Sequence, residues 1–138
     1  MDYPNVCIEV VVMNYGSALL IREGGFDSDG QWSFPRTVQD KGETIQQAAV
    51  RAVHDACGIT IEAANAVNAY DQIHGDGNST EIQHQVVLDI EGRYIDGEFT
   101  CDNETSMAAW ASGIALKTMD VDKTTLAILK SLGFVDWL

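Results

Sequence analysis

The stretch from Thr44 to Cys57, TIQQAAVRAVHDAC, constrains the fold more than any other part of the chain. Its spacing predicts a helix. Steps of four place Gln47, Arg51 and Asp55 on one face, in line with Glu43 just before it. Ile45, Ala48, Ala49, Ala52 and Ala56 form a narrow apolar stripe on the opposite face. Small side chains let a helix approach a sheet closely, so the stripe requires a flat apolar partner. Lys41-Gly42-Glu43-Thr44 reads as a turn into the helix, with Glu43 placed to suit its dipole, and Gly58 suits a C-terminal stop. Arg51 can pair with Asp55 one turn on or reach back to Glu43.

The flanking sequence supplies the sheet. Residues 6–13, VCIEVVVM, are β-branched and predict a strand, and Asn14-Tyr15-Gly16 turns the chain into a partner strand over 17–22. A loop through Gly24-Gly25 and Asp29-Gly30 leads to a short extended piece at 31–35. Beyond the helix, 59–73 contains a strand, 74–79 is a loop, 80–91 is a long strand, and Asp96-Gly97 turns the chain again. Residues 107–111 read as a short strand and 123–132 as an amphipathic helix. Strands outnumber helices, with a helix between strand groups, which gives an α/β (α+β) layered fold.

Length and composition narrow the functional classes. A chain of 138 residues, 46% hydrophobic and 21% charged, fits one globular domain spanning 1–138. Its apolar runs, such as 10–13, are far short of the roughly 20 residues needed to cross a bilayer. The start, Met1-Asp2-Tyr3-Pro4, has no basic and apolar leader. Cys7, Cys57 and Cys101 are odd in number and widely spaced, as expected of reduced cytoplasmic thiols. Eight Lys and Arg against 21 Asp and Glu give a net charge of −13, which repels phosphate backbones and argues against nucleic-acid binding. A small anionic ligand bridged by a divalent cation stays compatible with that charge, and so does a solubility or high-salt role for the acidity.

At residues 32–59, WSFPRTVQDKGETIQQAAVRAVHDACGI, the chain resembles the Nudix hydrolases, whose signature is Gly-x5-Glu-x7-Arg-Glu-U-x-Glu-Glu-x-Gly-U with U aliphatic. Glu43 falls on the first Glu, Arg51 on the Arg, Val53 on the aliphatic site, and Gly58-Ile59 on the closing pair. Trp32-Ser33-Phe34-Pro35 is similar to the family's lead-in, and Glu104, six residues before Trp110, to its late acidic segment. The resemblance covers nearly the whole chain. It implies an α/β/α sandwich with a mixed central sheet, hydrolysis of a nucleoside diphosphate linked to another moiety, and Mg²⁺ or Mn²⁺ as cofactor. It also allows a homodimer.

The departures bear on function. Thr37 stands at the opening Gly, and Arg36 at the Gly usually before it. Ala52 stands at the Glu after Arg, and Asp55-Ala56 at the paired Glu-Glu. A hard cation needs oxygen ligands, and alanine offers none. Metal binding is therefore expected to be weak or absent, with Asp55 and Glu104 as the remaining candidate ligands. Asp55 and His84 are the candidate catalytic groups, His84 for its ordinary titration range. Strand alternation puts His84 on the face of Ile82, Val86 and Leu88, where a core or pocket-wall role competes with catalysis. His54 is expected to be solvated. Arg36 and Trp32 are candidate substrate-binding residues, with Tyr70 and Trp110 either base-stacking or core aromatics. Glu43, Arg51 and Gly58 are expected to act structurally, tying the loop to the helix. Two readings follow: a Nudix-like hydrolase of weak or altered activity, or a silent domain that binds a nucleotide, metabolite or protein partner. Depleted boxes that still act exist, as in the GDP-mannose mannosyl hydrolases, which cleave at the sugar carbon.

Overall fold

The computed structural model describes residues 5–23, 30–75, 82–101 and 105–134. Strand β1 (Asn5–Asn14) is the axis of the sheet. Its residues 7–12 are all buried, as a β-branched run covered on both faces should be. Along one edge β1 pairs in parallel with β6 (Gln83–Asp96), from Asn5↔Gln85 to Met13↔Arg93. Its other edge is divided. The first half pairs with β4 (Arg36–Val38), and the end turns through the hairpin into β2 (Ser17–Glu23). Strand β2 then carries β3 (Trp32–Ser33) and β7 (Thr105–Ser112), while β5 (Thr60–His74) closes the far side against β6. The parallel β1–β6 pairing among antiparallel ones makes the sheet mixed.

Helix α1 (Ile45–Cys57) and helix α2 (Lys123–Ser131) lie on opposite faces. Ile8, Val10 and Val12 of β1 pack with Ala48, Ala49, Ala52 and Val53 of α1. The intervening Val11 packs with Leu20, Phe34, Ile128 and Leu129 on the α2 side. The expected helix at 44–57 is present, with Thr44 as its N-cap. Thr44 Oγ1 accepts from Gln47 N–H at 3.0 Å, and Gln47 Oε1 accepts from Thr44 N–H at 2.9 Å, a reciprocal capping box. Glu43 therefore sits outside the first turn, where no acidic residue lies. Gly58 ends the helix at φ +83°, and a Cβ there would run into Thr100.

The second half differs from expectation in its boundaries. Strand β6 begins and ends later than 80–91 and passes straight through Gly92. A Cβ at Gly92 would lie 2.8 Å from Ile61 Cδ1, so this glycine marks a close approach within the sheet, not a strand end. A 3₁₀ turn, Ala115–Thr118, precedes α2 and has no counterpart in the sequence reading. No helix among the described residues is long and apolar enough to cross a membrane.

Candidate functional site

The loop between β4 and α1 is folded onto a single side chain. Arg51 Nε and Nη2 donate to the two Glu43 carboxylate oxygens at 2.8 and 2.9 Å. Nη1 donates to Thr37 Oγ1 at 2.9 Å, and Nη2 also donates to the Val38 carbonyl at 2.9 Å. Asp40 adds a longer ion pair at 3.6 Å. Arginine's planar fork can serve this many acceptors at once, whereas a lysine ammonium cannot. The bonds from Arg51, with help from the Asp40 N–H, hold the Glu43 carboxyl down to about 2, and the same pairing raises Arg51. Gln39 Nε2 closes the turn by donating to the Glu43 carbonyl at 2.7 Å. Glu43 and Arg51 thus tie loop to helix as expected, and Arg51 reaches back instead of pairing with Asp55.

The outer face of α1 lines an open groove of about 600 Å³, formed by Gln46, Gln47, Val50, Arg51, His54 and Asp55. Asp55 keeps 67% of its side chain in solvent, and His54 Nδ1 lies 3.9 Å from its Oδ1. Ala52 is 3% exposed and belongs to the core against β1, and Ala56 is half-buried. A divalent cation needs several oxygens converging on one point. This helix supplies one. Among the described residues no group of three or more His, Cys, Asp and Glu could hold a metal ion, so the donor set does not fit Mg²⁺ or Mn²⁺. Glu104, the other candidate ligand, lies outside the described residues.

The remaining candidates are dispersed. His84 lies near the start of β6, one residue before the described β1 pairing begins. Its Nε2 sits 2.8 Å from Asp71 Oδ1 of β5, and Ile82 beside it is 69% exposed. The cross-strand partner of His84 on β5 is Ile73, 59% exposed, so the apolar neighbour that strand alternation predicts lies at a solvent-facing end of the sheet. Trp32 is tied by its backbone to the segment before α2: its N–H donates to the Asp120 carbonyl at 2.8 Å, and its own carbonyl accepts from Asp122 N–H at 2.9 Å. Its side chain packs on the α2 cluster. Trp110 packs with Tyr94 and Phe99 at the edge of the α1 cluster. Arg36 lies 3.1 Å from Glu9 and keeps 40% of its side chain exposed.

Sequence reasoning passed over Glu9, Tyr70 as a hydrogen-bond donor, and Asp89. Glu9 and Asp89 are 1% and 0% exposed, and Tyr70 donates its hydroxyl to Glu9 Oε1 at 2.6 Å. The available signal was a lone carboxylate in a strand apolar on both faces, since such residues are almost never fully buried unless paired.

This loop–helix–glycine unit on a mixed sheet is what a family comparison identifies. The NUDIX domain model matches residues 4–127, and the chain belongs to that family. Solved structures agree at the level of fold. A NUDIX hydrolase from Nitrosomonas europaea superposes with a TM-score of 0.76 at 18% identity, over 95% of this chain and 89% of that one. A MutT protein from Methanosarcina mazei gives 0.71 at 17%, over 96% and 94%. An ADP-ribose pyrophosphatase from Streptococcus suis gives 0.68 at 20%, over 95% and 92%. No curated protein matches the chain by sequence.

Proposed function

We propose that this chain binds a nucleoside diphosphate linked to another moiety and hydrolyses it weakly or not at all. The observation that carries the reading is Ala52, 3% exposed in the core at a position where the family pattern has a ligand carboxylate. With Asp55 the only box carboxylate of the three that hold metal, no step through a metal ion is supported by these residues. The substrate class rests on family membership and on relatives of the same fold described as an ADP-ribose pyrophosphatase and a UDP-X diphosphatase.

What this chain's own residues offer is binding. The groove on α1 is roomy; Arg36, on the opposite face of the sheet, has a single ion pair among the described residues and keeps N–H donors for a phosphate on that face. Arg51 is fully engaged with the loop and serves to shape it. On this reading the domain spans 1–138, works in the reducing cytoplasm with three free thiols, does not bind nucleic acid, and acts as a monomer or homodimer.

The test is a binding and turnover panel of nucleoside triphosphates, ADP-ribose, NDP-sugars and dinucleoside polyphosphates, with and without Mg²⁺ or Mn²⁺. The reading expects saturable, metal-independent binding of at least one NDP-linked compound, weakened by Arg36→Ala, with turnover well below about 1 s⁻¹, the low end of working enzymes. Metal-dependent turnover at that rate or faster would overturn it.

A further inference from the structure

A polar rung crosses four strands. Arg36 of β4 is in register with Glu9 of β1, Glu9 with Asp89 of β6, and Asp89 with Asn68 of β5. Cross-strand partners project to the same side. Since Val11 packs toward α2 while Leu88 and Ile90 pack toward α1, the rung lies on the sheet face turned away from α1. Tyr70 of β5 joins it through its bond to Glu9. Cys7, two residues before Glu9, and Glu91, two residues after Asp89, are further titratable groups on this face, and burial pushes the Cys7 thiol up.

The rung is short of one donor. Tyr70 serves Glu9 Oε1, and Asn68 Nδ2 donates to Asp89 Oδ2 at 2.9 Å. Glu9 Oε2 and Asp89 Oδ1 are buried with no hydrogen bond among the described residues. Arg36 Nη2 comes within 3.1 Å of Glu9 Oε2 but is not aligned to donate to it. Two ionised carboxylates against one guanidinium would also leave a net negative charge in a site closed to water, which is costly. A single proton repairs both faults, because it turns one acceptor into a donor and makes the rung neutral.

We propose that Glu9 and Asp89 form a proton-binding site, holding one proton between them beside the Arg36 guanidinium. Burial, and a hydrogen bond to Glu9 that only the protonated acid can donate, push Asp89 up to about 7, against the opposing pull of Asn68 and Arg36. The same burial and the Glu9 bond push the Tyr70 phenol upward, so it stays a donor throughout. The site has a line to the box loop: Arg36 reaches the rung from one side of β4, and the next residue, Thr37, holds Arg51 from the other. Losing the proton adds a negative charge to the rung and draws Arg36 toward it.

The test is a side-chain carboxyl ¹³C titration of the full chain from pH 4 to 9, with Asp89→Asn for assignment and thermal unfolding run beside it. A group raised on folding binds more protons folded than unfolded, so its contribution to stability declines as pH rises from the ordinary Asp range to the folded value. One carboxyl signal should titrate well above the ordinary Asp range and be missing from the variant. The melting temperature of the parent should fall across that window relative to Asp89→Asn, whose amide keeps a donor in place. Should that variant not fold, Glu9→Gln supplies the donor from the other side and must flatten the same limb. Ordinary titration of every resolved Asp signal would overturn the proposal. So would selective broadening of the Asp89 signal by Mn²⁺, which would make the occupant a metal ion.

Discussion

Arg51 Nη1 donates to Thr37 Oγ1 at 2.9 Å, so the hydroxyl that stands where the NUDIX pattern opens with glycine is a partner of the box's own arginine. The substitution is absorbed by the loop instead of leaving it empty. Arg36, beside it, is likewise absorbed, in its case by Glu9 on the other side of β4. The box keeps its loop-tying Glu43 and Arg51, while of its three family ligand positions Ala52 is in the core, Ala56 is half-buried and Asp55 is exposed.

Breaking the Arg51 fork should loosen the loop and change the acid limb of the stability curve. Glu43 is depressed to about 2, so its contribution is full above the ordinary Glu range and is lost as pH falls toward 2. Arg51→Ala should lower the melting temperature at pH 7 by roughly 5 °C and make the variant less sensitive to acid between pH 4.5 and 2. Arg51→Lys should recover less than half of the loss. An acid limb unchanged in Arg51→Ala would refute the pairing.

Gly58→Ala tests the end of α1. The residue holds φ +83°, and an added Cβ meets Thr100, whose N–H donates to the Cys57 carbonyl at 2.8 Å. A cost of about 1–3 kcal/mol is expected in urea unfolding, from left-handed backbone strain plus the displaced contact. A change under about 0.5 kcal/mol would show that the 97–101 segment is free to move away.

Tyr70→Phe removes the donor to Glu9 Oε1 and leaves a buried acceptor unserved. Denaturant unfolding should show a loss of about 1–3 kcal/mol with the m-value unchanged. A neutral result would mean that water reaches Glu9.

Much of the fold was legible because its signals are local. The four-residue spacing of 44–57, its Thr44 cap and its Gly58 stop are properties of neighbouring residues, and α1 forms where they put it. The hairpin of β1 and β2 follows from a short turn between β-branched runs. What was not legible depends on register between distant strands. Glu9 and Asp89 become neighbours only because β1 and β6 align in parallel from Asn5↔Gln85, a choice no local pattern encodes. Strand alternation gives His84 its apolar partner Ile73 but not the exposure of that pair, which depends on its place at the end of the sheet. The backbone bonds that hold Trp32 to residues 120–122, far away in sequence, likewise have no local signal.

Restoring the box acids separates lost ligands from a lost site. Ala52 is buried, so Ala52→Glu with Ala56→Glu should destabilise the chain by several kcal/mol without metal, since the new charges lack partners. If the helix still faces a metal position, millimolar Mg²⁺ should return part of that loss and raise hydrolysis above the parent's level. An unchanged metal response in the double variant would show that the helix no longer faces one.

The most direct measurement is steady-state turnover of the unmodified protein on the NDP-linked panel at saturating Mn²⁺ or Mg²⁺. With Ala52 in the core and Asp55 alone on the exposed face, turnover should stay well below about 1 s⁻¹ and respond little to metal, even where binding is saturable. Metal-dependent turnover of any panel member at that rate or above would contradict the loss of metal chemistry from the box.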